Sequence, residues 1–170
     1  CEAKDYVTGL YDASGRMLEQ TENLPILAFS LAPVCKHIRK TFDGEIYPGD
    51  VFFHNDVFSL GNQNNDVAVF KPVFHGGELV AWTAVKGHQA DIGGNVRGGY
   101  NPNAVEVWQE ALRIPAVKVV ERGKGDGVFI NTTGPDPANP IGGHVAWVKA
   151  GNDRKTFAYA MSREQGGYRT

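Results

Sequence analysis

Cysteine is nearly absent: Cys1 and Cys35 are the only two in 170 residues. Two thiols build neither a disulfide framework nor a thiolate metal cluster, and Cys35 reads as a small apolar side chain on a buried helix face. Long apolar runs are missing as well. No stretch approaches the roughly 18 residues that span a bilayer, so no membrane is expected as a partner. Positive charge is not in excess, since the net charge is −2. That leaves no field to gather a polyanion and argues against nucleic acid. A nucleotide-binding loop is also lacking: Gly123-Lys124-Gly125-Asp126-Gly127 has neither P-loop nor dinucleotide spacing. No serine occupies a nucleophile elbow. Carboxylates, imidazoles and a bound ion remain as the means of catalysis. Without a secretory leader pattern, and with thiols that fit a reducing compartment, the expected location is cytoplasmic.

What is present suits an α+β domain. The 42% hydrophobic content is enough for one core. Tyr6 to Tyr11 and Arg16 to Gln20 read as strands around the turn Asp12-Ala13-Ser14-Gly15. Ser30 is placed to cap a helix, with Pro33 in its first turn and an apolar stripe at Leu31, Val34, Cys35, Ile38 and Phe42. A short strand follows at Val51 to Phe53. Val67 to Phe74 and Leu79 to Val85 form a hairpin around His75-Gly76-Gly77. A second helix is expected from Asn103, with Glu106 completing a capping box and a stripe at Ala104, Val107, Trp108, Ala111 and Leu112. Ala116 to Val120 is another strand. The sum is a mixed, mainly antiparallel sheet with two packed helices.

After Glu121 the texture changes. Arg122 to Gly127 reads as a flexible hinge, followed by strands at Val128 to Asn131, Ala146 to Val148 and Thr156 to Met161. The expected division is a domain over 1–122 and a hinge with additional strands over 123–170, drawn from a later part of a parent chain. The absence of an initiating Met and the bare ending Gly166-Gly167-Tyr168-Arg169-Thr170 suggest a fragment of a larger subunit.

The chemistry concentrates around the central hairpin. A hairpin folds the chain back, so Asp66 at its start and His88 at its end are expected side by side. Asp56, Asp66, His88 and Asp91 are the candidates for acid–base work, with Glu2 and His54 behind them. Asp66 and His88 could together hold a divalent ion such as manganese, magnesium or zinc. Gly93 and Gly94 permit positive φ and let backbone N–H groups close on a cofactor or anionic ligand. The other reading is that these residues are solvated strand ends and turn formers, and it stays open. His37, His75 and His144 are read as structural.

Three blocks, in order, resemble one family. Tyr47-Pro48-Gly49-Asp50-Val51-Phe52-Phe53-His54-Asn55-Asp56 is similar to its "PGDVF..ND" block, Gly87-His88-Gln89-Ala90-Asp91-Ile92-Gly93-Gly94 to "AHHADIGG", and Trp108-Gln109-Glu110-Ala111-Leu112-Arg113-Ile114-Pro115 to "QEGLRIPPVKL". The family is hydantoinase B/5-oxoprolinase, and the form here most resembles the large subunits of acetone and acetophenone carboxylases. The resemblance covers about residues 2–122 and implies work inside a multisubunit complex. A hydantoinase A-like partner would bind ATP with magnesium and phosphorylate the substrate or bicarbonate. The first implied activity is carboxylation of a small-molecule ketone through a phosphorylated enol and activated bicarbonate, giving a β-keto acid. The second is ATP-dependent opening of a cyclic amide. The third is a non-catalytic scaffold that docks the other subunits. Manganese on His and Asp in such carboxylases maps onto Asp66 and His88. The chain departs from the pattern at Gln63 and Gln89, where the family usually has histidine, and an amide oxygen is a weaker ligand than imidazole.

Overall fold

The computed structural model describes residues 5–21, 23–89, 92–94, 96 and 101–124, together with the strand segments 129–130, 145–150, 155–161 and 168–169. Six strands form the main sheet: β1 (Tyr6–Asp12), β2 (Met17–Gln20), β3 (Val51–His54), β4 (Asp66–His75), β5 (Glu78–His88) and β6 (Val117–Val120). Their order is β2-β1-β5-β4-β3-β6. Every described pairing is antiparallel, so the sheet is not mixed.

The β4–β5 hairpin is the centre of the sheet. Gly76 and Gly77 both have positive φ (57° and 87°), as a two-residue type I′ turn requires. Pairing runs from His75↔Glu78 at the tip to Asp66↔His88 at the open end. Side chains alternate between faces, and Trp82, Ala84 and Lys86 of β5 are buried on one side.

The helix α1 (Pro25–Thr41) covers that side. It buries Leu27, Ala28, Leu31, Val34, Cys35 and Ile38 against Val7, Tyr11, Phe52, Phe70 and Trp82. Each large side chain removed from water here contributes about 1.5–3 kcal/mol. The expected apolar stripe is present, but the helix starts at Pro25 and not at Ser30. Proline at the first helical position comes with its φ preset, and the N-cap Leu24 makes no side-chain cap bond. Ser30 therefore lies mid-helix and Pro33 in the interior. Pro33 is exposed, and so is Phe29, whose carbonyl it deprives of a helical donor.

The second expected helix does not form. One 3-10 turn, Val107–Gln109, stands in its place, closed by a Glu106–Gln109 capping box and not by one from Asn103. Of the expected stripe, only Ala111 is buried. The cause is tertiary. The Asn55 side chain donates to the Leu112 carbonyl (2.7 Å) and accepts from the Ile114 N–H (2.5 Å). The Asn55 N–H reaches the Ile114 carbonyl (3.0 Å), and the Leu112 N–H reaches the Ile92 carbonyl (2.8 Å). Of these groups the Leu112 N–H is one that a helix ending there would turn inward, and the rest fasten the chain at and just past that end in an extended course.

The expected hinge is pinned where it is described. Arg122 and Gly123 turn tightly, with the Arg122 N–H on Asp50 Oδ1 (2.8 Å), the Gly123 N–H on the Gly49 carbonyl (3.1 Å) and the Arg122 guanidinium 3.8 Å over Tyr47. Farther on, β7 (Phe129–Ile130), β8 (Val145–Ala150), β9 (Lys155–Met161) and β10 (Tyr168–Arg169) make a second antiparallel sheet in the order β10-β9-β8-β7. Among the described residues, no helix is long and apolar enough to cross a membrane.

Candidate functional site

Asp66 and His88 are directly paired residues of the β4–β5 ladder, which puts their side chains on one face at the hairpin's open end. His88 Nδ1 lies 2.8 Å from Asp66 Oδ1. The Asp66 side chain is fully buried, whereas His88 keeps 28% of its side-chain exposure. The arrangement is an inner carboxylate holding an outer imidazole.

The residues around the pair hold it in place. Gln63 Nε2 donates to Asp66 Oδ1 (3.0 Å) and lies 3.1 Å from His88 Nδ1. Asn62 Nδ2 donates to Asp66 Oδ2. The orientation of the Asn62 amide is set from behind, because its Oδ1 accepts from Lys86 Nζ (2.5 Å), which can only donate. With amide N–H groups on both carboxylate oxygens, the 2.8 Å contact is assigned as Nδ1–H of His88 donating to Oδ1. In the neutral ring Nε2 then holds the lone pair.

Lys86 is the residue that sequence reasoning missed. A lysine in a strand reads as belonging to the wet face, yet counting by twos from Trp82 puts it inward. It is 1% exposed, stands opposite the small Ala68, and also donates to Ser30 Oγ on α1. Burial lowers its ammonium to about 8, and the carboxylate of Asp66 pulls the other way.

Asp56 stands in a separate network. It caps the 3-10 turn Val57–Ser59 by accepting from the Phe58 N–H (3.1 Å), accepts from Ser59 Oγ (2.6 Å) and pairs with the Arg113 guanidinium (2.5 Å). Burial pushes its carboxyl up, but Ser59, Phe58 and Arg113 together outweigh that and hold it below the usual carboxylate range. Phe58, Ser59 and Arg113, the partners of its carboxylate among the described residues, lie outside the Asp66–His88 pair. Arg113 lies 4.9 Å from the ring centres of both Phe58 and Trp108, which locks this network in place. His54 is buried beside it, 3.0 Å from Ser59 Oγ and edge-on to His37, and burial followed by His37 lowers its imidazole to about 4.

Gly93 has the expected positive φ of 88°. Gly94 serves packing: a Cβ there would sit 2.0 Å from the Glu110 carbonyl oxygen, so the space in front of it is filled by this chain's own backbone. Asp91 and Glu2 lie outside the described residues. Gln89 is tied to the loop before β4, its N–H on the Asn65 carbonyl at 2.8 Å. The neighbouring Asn64 is buried, and its side-chain Nδ2 and Oδ1 have no hydrogen-bond partner among the described residues.

The described residues do not suit a divalent ion on Asp66 and His88. Oδ1 of Asp66 already accepts two bonds, Oδ2 accepts an amide N–H, and Nδ1 of His88 is turned to the carboxylate. Among the described residues no group of three His, Cys, Asp or Glu side chains is placed to hold a metal.

Comparison with known proteins identifies the lineage. The profile of the hydantoinase B/oxoprolinase family matches residues 1–133. The chain belongs to that family. It is 46% identical over 122 residues to the caprolactamase β subunit of Pseudomonas jessenii, covering 72% of this chain and 21% of the relative. The crystal structure of the ATP-dependent caprolactamase from that organism superposes with a TM-score of 0.69 at 45% identity, over 73% of this chain and 21% of the other. The 5-oxoprolinase of Saccharomyces cerevisiae is 31% identical over 123 residues, which is 72% of this chain and 10% of the relative. A nucleotide-free acetone carboxylase structure shares the fold, with a TM-score of 0.65 at 22% identity over 72% of this chain and 16% of the other. The chain thus spans about a fifth or less of the length of these relatives.

Proposed function

We propose that this hydantoinase B-type segment supplies the acid–base pair of an ATP-dependent cyclic amide hydrolase, working with a hydantoinase A-like partner that binds ATP and magnesium. The observation that carries the reading is the Asp66–His88 contact of 2.8 Å, with the carboxylate fully buried and the imidazole side chain 28% exposed. The 46% identity to a caprolactamase subunit supports a lactam-like substrate. Phosphorylation of the amide oxygen at the partner's site would make the ring carbon open to attack. Nε2 of His88 then relays both protons of the attacking water to the departing ring nitrogen, the ring opens to an acyl phosphate, and a second water releases inorganic phosphate and leaves the free amino acid. Asp66 keeps Nδ1 protonated and faces the imidazolium as it forms, the role that a buried carboxylate plays behind a catalytic histidine. The domain division fits this reading: 1–122 carries the pair, and 123–170 adds strands belonging to the larger subunit.

The test uses the complete two-subunit complex. His88→Ala is expected to lower lactam-dependent product formation by roughly 10²–10⁴-fold. Asp66→Asn is expected to lower kcat with a smaller effect on KM. Product formation unchanged in both variants would reduce the pair to a strut between two strands.

Ketone carboxylation is the second reading, favoured by the likeness of this phenylalanine- and asparagine-rich form of the family to ketone carboxylase large subunits. Labelled bicarbonate separates the two, since only a carboxylase incorporates it into an acid product of acetone or acetophenone. A purely scaffolding role would leave both variants active and the complex intact.

A further inference from the structure

Lys86 has no reason of packing to be a lysine. It sits on the core face of β5 between Ala84 and His88, 1% exposed, where an unbranched apolar side chain would fill the same space without bringing a charge. Among the described residues its ammonium reaches no carboxylate directly. It donates to Ser30 Oγ and to Asn62 Oδ1, and Asn62 passes the interaction on by donating to Asp66 Oδ2. On the exposed side of the carboxylate, Gln63 Nε2 lies 3.0 Å from Asp66 Oδ1 and 3.1 Å from His88 Nδ1, a position from which one ring nitrogen could complete a His–Asp–His set.

We propose that the Lys86 ammonium is the resident cation of this site. Acting through Asn62, it compensates the buried Asp66 carboxylate, and Gln63 closes the remaining face. The Asp66–His88 pair thereby works without a divalent ion. Lys86 and Asn62 are positioning residues that touch no substrate. Gln63 is the residue that decides against metal. This goes beyond the hydrolase reading and does not rest on it, because metal affinity belongs to the chain whatever the substrate.

The experiment titrates the full chain, freed of metal by chelation, with Mn²⁺ and with Zn²⁺ by calorimetry, and measures retained metal by elemental analysis. The wild type is expected to show no stoichiometric binding and no metal after dialysis. Gln63→His is expected to acquire a one-to-one site at least tenfold tighter than any wild-type binding, and the site should vanish when His88→Ala is added. Gln63→His with Lys86→Met is expected to bind tighter still, because the competing ammonium is gone. The single variant keeps Lys86, so the result can be read even if the double variant unfolds. Stoichiometric wild-type binding that His88→Ala abolishes would overturn the proposal. So would a Gln63→His chain, folded by circular dichroism, that binds no better than wild type.

Discussion

The most direct measurement of the buried cation is its linkage to folding. Lys86→Met removes the charge and keeps the stem. In the folded chain, burial lowers the ammonium from 10.5 to about 8. Below pH 8 the lysine is protonated in both the folded and unfolded states, and keeping it charged in the interior costs stability throughout that range. Between pH 8 and 10.5 the unfolded chain binds the proton more tightly, so stability rises with pH and the cost is relieved. At 1.36 kcal/mol per pH unit, the relief amounts to about 3 kcal/mol. Tyr11 and Cys35, both pushed up to about 12 mainly by burial, tilt the alkaline limb the other way, because they lose protons more readily when unfolded. Their contribution is common to both proteins and cancels in the difference. At neutral pH the substitution also leaves Asn62 Oδ1 without its donor, which costs about 1–3 kcal/mol and offsets much of the gain. The quantity to measure is therefore the wild-type minus Lys86→Met difference in urea unfolding free energy, taken at intervals from pH 7 to 11. Wild type should gain about 3 kcal/mol on the variant across the window. Parallel curves would show that Lys86 is solvated or neutral, and the account of the site's charge would fail.

Three further outcomes follow from particular contacts. His54, lowered from 6.5 to about 4 chiefly by burial, is neutral when folded and charges on unfolding in acid. Stability should fall by about 3 kcal/mol as pH drops from 6.5 to 4, and His54→Gln should flatten that limb in a thermal-melt series. Asn55→Ala strips donors or acceptors from Asn64, Leu112 and Ile114 at once. A loss of about 3 kcal/mol or more is expected from the urea midpoint, with faster hydrogen exchange across 111–115. Gly94→Ala drives a Cβ to 2.0 Å from a backbone oxygen that has no flexible end to move. A cost of about 1–3 kcal/mol in urea unfolding is expected, and a neutral result would mean that this approach is looser than drawn.

Legibility in the sequence followed the range of the interactions. The hairpin could be read because its signals are local: two glycines at the tip and alternating side chains on either side. Once the hairpin is drawn, the meeting of Asp66 with His88 follows from counting residues. The stripe of α1 was legible for the same reason, but its start was not, because Pro25 and Leu24 begin the helix without a hydroxyl or carboxylate cap. The second helix misled because Asn103, Glu106 and the apolar spacing are all local, while the chain at Leu112 and Ile114 is held by Ile92 and Asn55 from elsewhere in the sequence. Lys86 was hidden by its chemistry. Nothing in a strand marks a lysine as inward except its parity with Trp82 and Ala84. Asp56 looked like an active carboxylate because the partner that occupies it, Arg113, lies 57 positions away.

The tip of the hairpin offers an experimental handle. His75, Gly76, Gly77 and Glu78 are all exposed, and nothing stands within 4 Å of where a side chain on either glycine would project. The ten residues of β4 separate that tip from the acid–imidazole pair by roughly 30 Å. A fluorophore or an affinity peptide grafted between Gly76 and Gly77 would therefore report on assembly of the larger enzyme while leaving the reacting end of the ladder undisturbed.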